Sequence, residues 1–318
     1  MILGDSIAYT VAKLSFSYPH PRSKRVRRRT WILRYGIDLW PVGLVLIATT
    51  MSALPFVYSL AAWQLVVVWA AVAYLRTFCA FVQHNHAHLP VFEQRVLNRL
   101  FDVMLTLNTG YPTAIWQLHH ILGHHRDFLD PDLDVARTIH AGSRVRMSRW
   151  MYALRGNLTI LRDSIRIGLA EREAGRRKLL VKLALEVLVQ AVVTALFFVR
   201  DPWLALWFFV VPNVLTAFLV WWESYPHHLD LPLTGPYDSS ITVEARDYNF
   251  MTFNIGHHTA HHQKPTLHWS LLPQQTAKIR HLIHSSCIKS DHKTWARRWA
   301  AIRPRRASLA KRAGLADS

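Results

Sequence analysis

Cysteine, glycine and negative charge are all scarce in this chain. Two cysteines in 318 residues, Cys79 and Cys287, cannot build a disulfide framework or a thiolate metal cluster. Twelve glycines exclude a collagen-like repeat, and there is no long Gly/Ser linker. No glycine fingerprint for a dinucleotide is present, so a resident nicotinamide or flavin is not expected. Charged residues make up only 18% of the chain against 51% apolar, which excludes a disordered polypeptide. Acidic residues number 20 against 38 Lys and Arg, for a net charge of +18. No cleavable signal is expected, because the first long apolar run comes only after a basic block. Against these shortages stands one excess, 19 histidines.

Four apolar stretches approach the ~20 residues a helix needs to cross a bilayer. They cover about 37–54, 55–75, 179–199 and 203–222, with Pro55 expected in the first turn of the second helix. The third carries Lys182, Glu186 and Gln190 at successive i+4 positions, a polar stripe that should face protein rather than lipid. The fourth has Pro212 and Asn213 near its middle, where a kink could free backbone groups. Every Lys and Arg except Arg200 lies in, or beside, three regions: the N-terminal arm, the segment between the second and third stretches, and the C-terminal region. By the positive-inside rule both termini and the middle segment are cytoplasmic, and the basic balance needs no nucleic acid to explain it. The organisation read from this is a basic arm (1–36), an all-α membrane domain of four helices with a cytoplasmic cap (37–273) and a basic tail (274–318). Trp150, Leu154, Leu158, Leu161, Ile165 and Leu169 recur at helical spacing between arginines, which suits a helix lying in the membrane interface or packed on the protein's own surface.

Thirteen of the histidines fall in four clusters on the inferred cytoplasmic side. His84 and His88 share one helical face at i,i+4, with His86 turned away. His120 and His124 repeat that spacing, with His125 beside them and His119 before them. His258, His261 and His262 stand at i, i+3 and i+4 after His257, and His227–His228 follow the fourth stretch. Neutral imidazole is the commonest metal ligand. Eight imidazoles in three clusters, with a ninth from His227–His228, exceed what one ion can use, so two metal ions are implied. Glu223 could be a ligand, a carboxylate that orients an imidazole, or an interfacial acid. Asp127, Asp130, Asp132 and Asp134 could accept hydrogen bonds from ligand imidazoles or form a solvated Asp-Pro turn.

The three clusters, written His84-x-x-x-His88, His120-x-x-x-His124-His125 and His258-x-x-His261-His262, resemble the histidine boxes of the membrane fatty acid desaturases and hydroxylases. The text Asn249-Phe-Met-Thr-Phe-Asn-Ile-Gly-His257-His258 is similar to the approach to the third box in lipid desaturases. The resemblance implies a non-haem di-iron centre that uses O2 as co-substrate, with His84, His88, His120, His124, His125, His258, His261 and His262 as ligands. It implies a further ligand from His228 or His227. His86, His119 and His257 are extra to the pattern and could substitute for neighbours or support them. The three residues before the second His pair match alkane monooxygenases, whereas many acyl desaturases have two.

The resemblance leaves desaturation of a fatty-acyl lipid as the first expectation. Hydroxylation or oxidative decarboxylation of a fatty acid or alkane is the alternative, and a non-enzymatic, zinc-binding membrane protein is a remote one. Electrons would come from a separate ferredoxin, rubredoxin or cytochrome with its reductase. An apolar substrate tunnel is expected beside the boxes, with Tyr111, Trp116, Trp221 and Trp222 as candidate lining. The same tryptophans at span ends would also suit an interfacial belt.

Overall fold

A computed structural model of the chain describes residues 31–290 except 129, 131, 141–144, 230 and 232–234. Most of the basic arm, and the tail from residue 291 with its Trp295–Arg312 run, lie outside the described residues. The fold is mostly helical, with almost no sheet among the described residues. In chain order the long elements are α1 (Leu39–Val57), α2 (Ala62–His88) and α3 (Arg95–Thr109). A short α4 (Thr113–Ile115) runs on as a π-helix over Trp116–His125, and α5 (Arg149–Glu173) and α6 (Lys178–Arg200) follow. Next, α7 (Pro202–Ala205) passes through a π-helical turn at Leu206–Val210 into α8 (Val211–Ser224). The last part holds α9 (Arg246–Met251), α10 (His258–Gln263) and α11 (Leu272–Ile279). Two short parallel strands, β1 (Thr242–Val243) and β2 (Ile288–Lys289), pair Thr242 with Ile288.

Among the described residues four helices are long and apolar enough to cross a membrane: Gly36–Val57, Ala62–His88, Lys178–Arg200 and Pro202–His227. Two of their boundaries differ from the sequence expectation. Pro55 lies in the last turn of α1, not the first turn of α2; the Tyr58 amide still reaches the Leu54 carbonyl and closes that turn. The start of α2 is fixed instead by the Gln64 side chain, which accepts from the Ala61 amide at 2.8 Å. Hydropathy does not register such a cap. At its other end α2 continues past residue 75, because Arg76 stays inside the bundle. Its fully buried guanidinium donates to Ser52 Oγ and Asn213 Oδ1, both at 2.9 Å, and to the Phe209 carbonyl at 3.4 Å in the π-helical turn. Irregular backbone inside a span persists where another side chain satisfies its freed groups.

Helix α5 packs its other face inward and leaves Trp150, Leu154 and Leu158 at 67, 53 and 74% exposure. The apolar positions read from the sequence are therefore largely exposed, although Trp150 also packs on Phe218 and Trp222. The inward face includes Gly156, where a Cβ would stand 2.2 Å from the Trp221 ring, so only glycine lets α5 approach α8 this closely. Regular structure continues past residue 273. Helix α11 runs across that position and β2 follows it, and Ile279, Ile283 and Cys287, spaced four apart, are buried in a core with Ile241 and Val243. The basic residues interleaved among them masked that pattern.

Candidate metal centre

The histidine clusters lie where α2, the π-helix and α10 meet beyond the apolar parts of the spans. His84, His88, His120, His125 and His261 bring one nitrogen each within 4.8 Å of one another, and so do His124, His228 and His262. His258 joins the second group through Nε2, 3.0 Å from His228 Nε2 and 3.2 Å from His262 Nε2. All nine imidazoles expected from the resemblance are thus assembled around two foci.

The π-helix decides how the second box divides. Its i→i+5 bonding, seen where the Arg126 amide reaches the Ile121 carbonyl, brings residues five apart onto one face. His120 and His125 accordingly converge, with Nε2 atoms 3.0 Å apart. The i,i+4 pairing expected for His120 and His124 on an α-helix is not the one that forms; His124 turns to the second focus. His261 and His262 split in the same way, since consecutive helical residues diverge by about 100°.

Nitrogen chemistry supports a cation at each focus. His124 Nδ1 lies 2.9 Å from Asp134 Oδ1, His228 Nδ1 3.4 Å from the Ser239 carbonyl and His84 Nδ1 3.2 Å from Asn85 Oδ1. Those oxygens accept, so each of these rings carries its proton on Nδ1 and aims an Nε2 lone pair inward. His84 Nε2 is 2.8 Å from His120 Nε2, and His125 Nε2 is 3.0 Å from His261 Nε2. Buried His88 Nε2 has no hydrogen-bond partner. Protons cannot satisfy so many converging lone pairs, whereas a metal ion can. Burial, reinforced by the neighbouring imidazoles, pushes the pKa values of His120, His125, His228, His258, His261 and His262 well below the ordinary histidine value. These rings are therefore neutral and competent as donors at pH 7.

The remaining candidates lie around this core. His228, not His227, faces the focus; His227 Nε2 lies 3.0 Å from the Tyr248 hydroxyl. His86 Nε2 is 3.2 Å from Asp102, and His257 Nδ1 is 2.9 Å from Thr276 Oγ1. His119 packs edge-on to Trp221. Glu223 accepts from Tyr248 at 2.7 Å, so its link to the imidazoles runs through that tyrosine. Asp127 pairs with Arg126, and Asp134 alone in the acidic run meets an imidazole. Asp130 caps its own turn through the Asp132 and Leu133 amides.

An apolar-walled cavity opens beside the foci, and His84, His120, His124, His228 and His258 contribute to its lining. Tyr111, Trp116 and Trp221 line it. Trp222 does not: one position further round α8, it packs on Trp150 and under the Arg149 guanidinium. A smaller, more polar cavity reaches His88 and His261 from Asp38, His268 and Trp269. Two supports escaped sequence reading. Tyr248 links Glu223 to His227. Gln83, beside His84, donates to the Tyr111 carbonyl at 2.7 Å and accepts from Trp116 Nε1 at 2.9 Å. The signal for Gln83 was an amide directly before the first histidine cluster.

The fatty acid desaturase family model matches residues 61–294, which holds every histidine of the two foci. The chain belongs to the fatty acid desaturase family. A search of curated proteins finds no match. Membership fits the four spans and places the activity among oxidations of fatty-acyl chains in membranes; it names no substrate.

Proposed function

We propose that this desaturase-family member introduces a double bond into a fatty-acyl lipid, using two irons held by His84, His88, His120, His125 and His261 at one focus and by His124, His228, His258 and His262 at the other. The observation that carries the reading is the contact between both histidine foci and the apolar cavity. When bound, the iron pair would supply the O2-dependent removal of hydrogen from an unactivated methylene. The protein's own contribution is placement. Trp116 and Trp221 give the chain apolar walls, and the imidazoles in the cavity lining set which methylene is presented. Asp134 and the Ser239 carbonyl hold His124 and His228 in the tautomer that points Nε2 inward. The polar cavity beside His88 and His261 offers water and protons a route separate from the alkyl chain.

A second reading, hydroxylation or oxidative decarboxylation, is favoured by the three-residue spacing in the second box. Both readings require electrons from a separate ferredoxin, rubredoxin or cytochrome. They share one orientation, with termini and foci cytoplasmic, supported by the Lys and Arg asymmetry. The deciding experiment is lipid mass spectrometry after expression in a lipid-producing host with an electron donor. Loss of two hydrogens is expected; gain of one oxygen would replace desaturation by hydroxylation. Zinc transport by a purified sample that holds no iron and consumes no O2 would overturn both.

A further inference from the structure

The polar stripe of the third span has partners, and each of its three residues reaches the segment that leads into the second box. Gln190 Nε2 donates to the Gly110 carbonyl at 3.2 Å, Glu186 Oε2 accepts from the Ala114 amide at 2.8 Å, and Lys182 Nζ donates to Gln117 Oε1 at 3.1 Å. Positions 190, 186 and 182 thus meet 110, 114 and 117, three rungs between antiparallel segments. The middle rung places a carboxylate on a free amide in the first turn of the helix that becomes the π-helix, where negative charge is favourable. Lys182 also lies 3.0 Å from Asp102 Oδ2 and 3.4 Å from Glu186 Oε1, and Asp102 Oδ1 is 3.2 Å from His86 Nε2. His86 sits on α2 between His84 and His88. Burial alone would raise the Asp102 pKa, but the His86 hydrogen bond and the Lys182 charge outweigh it and hold the carboxyl below its ordinary value.

We infer that Lys182, Glu186 and Gln190 are positioning residues that set the register of the second histidine box, with Lys182 tying it through Asp102 and His86 to the helix that carries the first box. None of the three touches the foci; they act through the backbone at Gly110 and Ala114, the Gln117 side chain and Asp102. The stripe costs hydrophobicity in a span, and simple helix packing would be served better by leucines. What leucines could not supply is a fixed stop for a helix whose π-helical winding leaves its phase open. Because the proposed function makes these boxes an iron site, the inference rests on that reading for its consequence, but not for its geometry.

The test compares Glu186→Ala, Glu186→Gln, Lys182→Met and the charge-balanced Lys182→Met/Asp102→Asn pair in purified full-length protein. Two readouts are needed: amide hydrogen exchange across 113–125 in metal-free protein, and iron retained against a chelator. Glu186→Ala and Lys182→Met should speed exchange in 113–125 by about tenfold while leaving 258–263 unchanged, and should release iron about tenfold more readily. Glu186→Gln keeps an acceptor for the Ala114 amide but loses the charge, so it should fall between Glu186→Ala and wild type, nearer to wild type. The double variant should regain the melting temperature lost in Lys182→Met without regaining exchange protection. Recovery of both together, or unchanged exchange in Glu186→Ala, would reduce the ladder to helix packing and overturn the inference. Should the wild type hold no iron yet show the predicted exchange pattern, the proposed function would fall while the ladder stood.

Discussion

The two histidine foci are built differently. The first draws His84 and His88 from a span end, His120 and His125 from the π-helix and His261 from α10, so each ring is carried by helical backbone. The second gathers His124, His258 and His262 with His228, which follows the last span outside any long helix. Its rings are steered by Asp134 and the Ser239 carbonyl. The contrast teaches what the paired histidines do. His124–His125 and His261–His262 each straddle the two foci, one ring to each side, because neighbouring helical positions diverge. A doublet is thus a way for one short helix to serve both foci.

The sharpest way to break this comparison is to remove one ring from each doublet. His261→Ala should empty the first focus and His262→Ala the second, each taking iron from two per chain toward one, with activity falling below detection in both. Iron analysis and Mössbauer spectra of the variants check it. Two variants with the same surviving iron spectrum would mean that the doublet does not divide the ligands. A smaller effect is expected from Asp134→Ala. It should weaken iron at the second focus about 10- to 100-fold, as loss of an orienting carboxylate does, and leave the first unchanged. Chelator competition followed site by site would show uniform release if Asp134 served only the fold of its loop.

The difference between the foci is also a difference in legibility. The first was largely readable: His84 and His88 at i,i+4 require nothing beyond helical spacing. For His120 and His125 that rule gave the wrong partner, because π-helical winding depends on tertiary packing and on the Gln83 and Glu186 hydrogen bonds, not on local propensity. The choice of His228 over His227 was invisible for a related reason. It turns on Tyr248, 21 residues after His227, whose Nε2 it occupies. Asp134 was noted in sequence only as one carboxylate of four, and nothing local separates it from Asp127. The four spans were legible from apolar length, but their ends were not, since a cap at Ala61 and a buried Arg76 both lie outside what hydropathy measures.

The same neighbour contrast extends to the cavity and predicts an intermediate effect on specificity. Trp221 lines the cavity and Trp222 packs outside it on Trp150. Trp221→Ala should change the preferred chain length or oxidised position several-fold, whereas Trp222→Ala should lower yield without changing the product profile. Gly156→Ala should mimic the first, because its Cβ would push the Trp221 ring from its place, at about 1–3 kcal/mol in stability. Equal product profiles in all three would assign both tryptophans to a membrane belt.

The smallest effect is expected at the exit of the second box, where rigidity rests on exposed charge. Arg126, directly after His125, lies 3.0 Å from Glu171 Oε1, and Arg176 lies 2.6 Å from Glu171 Oε2, so one carboxylate joins the end of α5 to the box. The Arg176 hydrogen bond, against the opposing pull of burial, holds the Glu171 pKa below the ordinary carboxylate value, with Arg126 adding to it. Both arginines are largely solvated, and such pairs contribute little. Glu171→Gln should therefore lower Tm by no more than about 2 °C at neutral pH. The sign with pH follows from the depressed pKa: the wild-type advantage is fully present above the ordinary carboxylate value, near ~4.3, and is lost as pH falls through the lower folded value. Melting curves of the two proteins should converge only in that acidic window and should draw together at high salt. A gap that persisted in both conditions would mean that Glu171 acts through packing, and that the box exit is fixed by contacts other than charge.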